Sequence, residues 1–252
     1  TGTKGKSTTV AAVQHGLNEL GQEALICGNI GISAFSVLEE LEKRDREGRK
    51  PPLYIVMEMS SWQIHDTYVS LNGFMPRLRL AILTSVYADH LNSYNTMREY
   101  YEDKLRLFGT HCEAILVNES DRKFFLEHTF GLKKLVSAFP GYKNPFREKK
   151  MELQCAYSAL RILGLERRKV ISALSSYKGM PHRIEQVALY KDLMFVNDSA
   201  ATIAEAVTFT MKNLAPLSTH LICGGTDKNL SGSGMLDALQ MATSVTLLDG
   251  SF

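Results

Sequence analysis

No stretch of this sequence approaches the roughly 18 consecutive apolar residues of a membrane-spanning helix, so none is expected. An excess of one charge is missing too. The net charge of +2 is too small to imply a nucleic acid or an anionic membrane surface as partner. Cysteines are few and scattered: Cys27, Cys112, Cys155 and Cys223 show no C-x-x-C spacing, so neither a zinc site nor a disulfide framework is indicated. Three of them lie in apolar surroundings and read as small core residues. There is no internal repeat and no low-complexity tract, and a reducing cytoplasm is the expected compartment. An initiator methionine and any lead-in are also lacking. The chain opens on TGTKGKSTT, where a phosphate-binding loop is already half made, and so reads as the interior of a longer protein.

What is present is ordinary globular material, 44% hydrophobic and 22% charged over 252 residues, enough for one large domain or one and part of another. Short apolar runs at 23–28, 53–58, 79–86, 113–118 and 133–139 read as strands buried on both faces. Helical periodicity over 6–21 and 97–109 lies between them, each stretch closed by a glycine. The alternation predicts an α/β fold with a doubly wound, mostly parallel sheet. The charged stretch 39–52 reads as a solvated helix end and loop. A break in SSYKGMPHRIEQV (175–187) then divides a first domain, 1–178, from a second α/β unit, 183–252, with a hinge at 178–182. The second unit reads as an incomplete Rossmann-like domain, because about 70 residues seldom finish one.

In the opening loop each residue type has a task. Gly2 and Gly5 let backbone N–H groups turn towards a phosphate, with Thr3 and Lys4 between them. Lys6 can reach the β- and γ-phosphates, Ser7 can ligate Mg²⁺, and Thr8 continues into a helix whose positive end faces the nucleotide. Glu58 ends a strand, and Asp89 and His90 lie just past the end of another, where open α/β sheets collect ligands. A glutamate and a histidine so placed, facing a P-loop, make a candidate Mg²⁺ and phosphate constellation. Lys104 follows on a helix. Its plain reading is a solvent-facing lysine. As an ammonium about 4 Å from Mg²⁺, at an effective dielectric near 20, it would be repelled by on the order of 8 kcal/mol. A lysine in a metal site must therefore lose or reverse its charge.

With these pieces in order, the sequence resembles the Mur ligase family, ATP-dependent enzymes that add amino acids to the peptidoglycan precursor. The family's loop is matched by Gly2 to Thr8, and ADHLNSY, YYEDK, GMPHRIE, VNDSAAT and GGTDKNL continue in the family's order. Within the family, GNIG (28–31) and EMSSWQI (58–64) are most similar to the branch that adds D-glutamate to UDP-N-acetylmuramoyl-L-alanine. The resemblance implies ATP in the loop, Mg²⁺ held with the help of Glu58 and His90, and a Lys104 that reacts with CO₂ to become a carbamate. It implies that His182, Arg183, Asn197 and Asp198 approach the nucleotide. Asn29 and Ser60 would lie near the muramoyl-alanine substrate, and Thr202 and Lys228 would meet D-glutamate. It also favours a monomer.

Two departures stand out. Where the family usually has Gly-x-His-Asn before a helix, this chain reads NPFREKKMELQ (144–154), so no adenine-side asparagine is assigned. Ala200 stands where many relatives have lysine. The expected chemistry is amide formation through an acyl phosphate. The alternatives are a sister Mur ligase, a folylpolyglutamate synthase, or a nucleotide-binding module without ligase activity.

Overall fold

The computed structural model describes residues 1–86, 96–129, 131–141, 143–146, 150–202, 204–215, 217–225 and 233–249, without the side chains of 205, 233 and 234. It divides into two compact units, Thr1–Tyr177 and Lys178–Phe252.

In the first unit, strands β1 (Ala24–Gly28) and β2 (Tyr54–Glu58) pair in parallel. Strands β3 (Ala81–Leu83), β4 (Ile115–Asn118) and β5 (Val136–Phe139) form a parallel set in that order. Helices cover both faces, because the strand side chains alternate. From β4, Leu116 joins a core with Val13 and Leu17 of α1 (Lys6–Glu19), Leu160 of α6 (Met151–Ile162) and Leu174 of α7 (Arg167–Ser175). Its neighbours Ile115 and Val117 point the other way, into a core with Ile64 of α3 (Ser61–Ser70) and Phe125 of α5 (Arg122–His128). Each such fully buried side chain contributes about 1.5–3 kcal/mol. This is the doubly wound α/β arrangement with parallel strands.

Local chemistry sets the helix ends. Ser33 caps α2 (Ala34–Arg46), whose last turn carries Lys43, Arg44 and Arg46 against the negative end of the helix. Ser60 and Gln63 make a reciprocal capping box at the start of α3. Thr96 caps α4 (Met97–Leu105) by accepting from the Glu99 N–H.

Several expectations are corrected. The strand expected over 79–86 pairs with β4 only over Ala81–Leu83. The helix expected to reach Gly109 stops at Leu105, because Leu107 and Phe108 turn into the second core. The start of the strand expected over 133–139 is a 3-10 turn, Lys133–Leu135. Strand β2 is not buried on both faces: Ile55 and Met57 are exposed while Tyr54 and Val56 pack on the α1 side. Nor is 39–52 solvated throughout. Arg44 is buried, bonded to Glu23 at 2.6 Å and Glu40 at 2.7 Å.

The second unit begins with an antiparallel hairpin, β6 (Glu185–Tyr190) and β7 (Leu193–Asn197), turning through a left-handed Lys191. Helix α8 (Ala204–Leu214) follows, then parallel β8 (His220–Cys223) and β9 (Ser244–Leu247) joined through α9 (Ser233–Met241). Among the described residues no helix is long and apolar enough to cross a membrane.

Candidate functional site

The opening loop runs alongside β3. Thr84 N–H donates to Thr1 O at 3.0 Å and Thr3 N–H to Ser85 O at 2.8 Å, which sets the loop at the strand's C-terminal end. The hydroxyls of Thr84 and Ser85 both donate to Lys4 O, at 2.6 and 3.1 Å, and Lys4 N–H donates back to Ser85 Oγ at 2.9 Å. The glycines are required here. A Cβ on Gly2 would lie 2.1 Å from Thr84 Oγ1, and one on Gly5 2.0 Å from Met151 Cε of α6. Gly5 also holds the left-handed N-cap of α1 at φ 77°, with no side-chain cap and no acidic residue in the first turn. The positive end of α1 thus meets no carboxylate of its own. Lys6 folds back so that its Nζ donates to Thr3 O at 3.2 Å, and the Thr8 hydroxyl donates to Gly5 O at 3.1 Å. Ser7 is half-buried and Lys4 exposed.

Glu58 ends β2 and is only 1% exposed. Its Oε1 accepts from Asn29 Nδ2–H at 3.1 Å, while its buried Oε2 has no hydrogen-bond partner among the described residues. A half-satisfied buried carboxylate is costly unless something positive meets it. Gly28 lets Asn29 come that close: its φ is 95°, and a Cβ there would lie 2.0 Å from Glu58 O. Ser60 is engaged as the cap of α3, exchanging hydrogen bonds with Gln63.

Lys104 is not a surface lysine. It is 3% exposed, with Nζ 4.1 Å over the Tyr100 ring, and the Tyr100 hydroxyl is 3.1 Å from Thr3 Oγ1 of the loop. The charges of Lys104, Lys6 and Glu58 all act on the buried nitrogen of Thr1, so the three side chains lie around the start of the loop. Among the described residues no three His, Cys, Asp or Glu side chains form a metal-holding group. Asp89, His90 and Lys228 lie outside the described residues.

A cluster beside Lys104 is not apparent in the sequence. Asp103 Oδ1 accepts from Arg106 at 2.7 Å and lies 2.9 Å from His65 Nδ1 of α3, and Arg106 covers the Tyr68 ring. The only sequence signal is the i, i+3 spacing of Asp103 and Arg106. Its link to α3 is tertiary.

In the second unit, His182, Asn197 and Asp198 meet at the base of the hairpin. Asn197 Nδ2 is 2.9 Å from His182 Nδ1, and Asp198 Oδ1 accepts from Ile184 N–H at 3.0 Å. Arg183 and Thr202 are exposed.

Comparison with known proteins adds to this geometry. The Mur ligase middle domain matches residues 1–162. The chain belongs to the Mur ligase family. It is 30% identical over 281 residues to the UDP-N-acetylmuramoylalanine–D-glutamate ligase of Borreliella afzelii, across 100% of this chain and 59% of that protein. The protein of the same name from Synechococcus elongatus is 26% identical over 285 residues, with the same coverage. The chain thus spans 59% of the length of either relative. Both alignments exceed the 252 residues of this chain, so each Mur ligase relative carries internal residues that it lacks. Among solved structures, MurF from Acinetobacter baumannii aligns with a TM-score of 0.66 at 14% identity, over 98% of this chain and 66% of that one. MurF from Thermotoga maritima, in complex with ADP, aligns at 0.60 and 15% identity, over 98% and 65%. At such identities these likenesses establish the Mur ligase fold.

The donors suit a hard divalent cation on one condition. Glu58 offers a buried oxygen without a partner among the described residues, and Ser7 a hydroxyl at the head of α1. Lys104 as an ammonium would oppose the ion, whereas as a carbamate it would supply oxygen.

Proposed function

We propose that this chain is the central domain, 1–178, and the start of the following domain, 183–252, of a ligase joining D-glutamate to UDP-N-acetylmuramoyl-L-alanine. In this reading 178–182 is the hinge, and the enzyme is a cytoplasmic monomer serving cell-wall synthesis, cell shape and division. One observation carries it: a buried lysine linked through Tyr100 to the phosphate loop, whose start it shares with a buried carboxylate that has an oxygen unbonded among the described residues.

The loop from Gly2 to Thr8 binds ATP through its N–H groups, with Lys6 on the β- and γ-phosphates. Ser7, Glu58, His90 and Lys104 would hold Mg²⁺, as two ions. When bound, the metal neutralises charge on the phosphoryl oxygens. Lys104 joins this set by adding CO₂ and releasing two protons from its ammonium, which turns a cation into an anion. The muramoyl-alanine carboxylate attacks the γ-phosphorus and ADP leaves. The D-glutamate amine then attacks the acyl carbon and phosphate leaves. Asn29 and Ser60 orient the first substrate, and Thr202 and Lys228 the second. His182, Arg183, Asn197 and Asp198 meet the nucleotide.

The test is phosphate release by the full-length protein that contains this chain. Release that requires ATP, UDP-N-acetylmuramoyl-L-alanine and D-glutamate together is expected. Release with a folate and L-glutamate, or with another amino acid, moves the reading to a sister enzyme, and ATP binding without release leaves a nucleotide-binding module. A Lys104→Ala variant should be inactive and recover in part with short carboxylic acids.

A further inference from the structure

Arg183 sits in an unusual stretch of backbone. The residues on both sides of it are left-handed, His182 at φ 64° and Ile184 at φ 48°. A β-branched residue rarely takes that conformation, because its side chain crowds the backbone, so the surroundings must enforce it. Here they do so at every N–H. His182 N–H donates to Glu185 Oε2 at 2.7 Å, Arg183 N–H to Met180 O at 3.3 Å and Ile184 N–H to Asp198 Oδ1 at 3.0 Å. Ala200 N–H closes the turn onto His182 O at 3.0 Å. The Arg183 side chain is left exposed, so the turn presents it to solvent.

The bond at Ile184 depends on how Asp198 is held. Its second oxygen, Oδ2, accepts from the hydroxyl of Thr210 on α8. Thr210 is buried, and its hydroxyl bonds to this carboxylate across the unit. A free carboxylate at Asp198 could rotate about its side chain. Tethered at Oδ2, it keeps Oδ1 aimed at Ile184 N–H.

We propose that Thr210 is a positioning residue: through Asp198 it holds the left-handed turn that presents Arg183 to the nucleotide. The inference rests on the reading of Arg183 as a nucleotide contact and extends it to a residue on another element. The hydroxyl is what matters, so serine should serve and valine, of nearly the same shape, should not.

The test uses the full-length protein. Thr210→Val should raise the KM for ATP about tenfold while the KM values of the two other substrates stay within about twofold, and Thr210→Ser should stay near the parent in all three. Glycine accepts a left-handed φ freely. Adding Ile184→Gly to Thr210→Val should therefore bring the ATP KM back towards the parent, and it should give a folded protein even where Thr210→Val alone does not fold. An unchanged ATP KM in Thr210→Val overturns the proposal. So does an equal loss for all three substrates, a serine variant as poor as valine, or a double variant that is unfolded or no better. If the unsubstituted protein releases no phosphate, the ligase reading fails separately. ATP titration of the same variants then decides the latch, with affinity about tenfold weaker in Thr210→Val expected and equal affinity overturning it.

Discussion

A methyl group at position 28 would lie 2.0 Å from the Glu58 carbonyl oxygen, on a backbone with φ 95°. Neither strand can retreat, since Gly28 and Glu58 are register partners in the β1–β2 ladder. Gly28→Ala should cost about 2–4 kcal/mol, from a clash with fixed backbone added to left-handed strain, and appear as a lower urea midpoint at unchanged m. An unchanged midpoint would show that the strand end gives way. Glu58→Gln should be milder. The Glu58 carboxylate is buried with one oxygen that no described residue hydrogen-bonds, so glutamine keeps the shape, trades a desolvation cost against the field of Lys6 and Lys104, and should melt close to the parent. The same variant should lose the upward melting shift that Mg–ATP gives the parent, a shift equivalent to about 2.7 kcal/mol at a hundred times the dissociation constant. A glutamine variant that keeps the full shift would remove Glu58 from the cation site.

Elements are fastened by side chains as much as by ladders. Helices α3 and α4 are clamped by Asp103 with Arg106 and His65. Asp103→Ala should cost about 1–2 kcal/mol, since Asp103 is 10% exposed whereas Arg106 and His65, at 32% and 45%, are partly screened by solvent. A double-mutant cycle with Arg106→Met reads the coupling, and additive losses would mean that the pair contributes nothing. Helix α2 is fastened by Arg44, whose hydrogen bonds hold the carboxyls of Glu23 and Glu40 below the usual carboxylate range. Depressed carboxyl pKa values add stability above the unfolded-state pKa, and it is lost as pH falls through the folded values. Arg44→Met should therefore melt about 2–6 °C below the parent at neutral pH, with the gap closing in acid. A gap that does not depend on pH would rule the ion pairs out. These clamps were the least legible part of the chain. Strand positions and the α1 loop follow from apolar runs and glycines, which act locally. The burial of Arg44 within a charged stretch and the link from Asp103 to His65 depend on which helices become neighbours, and no short-range pattern encodes that. Lys104 shows the same limit: its residue type suggests solvent, and only the order of motifs around it pointed to a pocket.

At the scale of the molecule, the two units differ in what they bury. Thr1–Tyr177 contains two apolar cores, one on each side of its strands. In Lys178–Phe252 the buried apolar side chains among the described residues are Met211 and Ala238, while Leu189, Phe195, Phe209, Ile222 and Leu247 are half exposed or more. The alternation of strand and helix was readable in both units, because periodicity survives whether or not a face is covered. The antiparallel pairing of β6 with β7 was not, since its turn runs through Lys191 where a glycine or asparagine would have signalled a hairpin. Few buried apolar contacts mean a low free energy of local opening. Brief trypsin treatment of the 252-residue chain should therefore cut first in the second unit, at Lys178, Arg183 or Lys191. A resistant fragment ending at Lys178 should remain, identified by its mass, and it should melt cooperatively because both cores lie within it. If the second unit instead survives as long as the first, its exposed apolar faces are covered in solution, and the difference in stability drawn from burial fails.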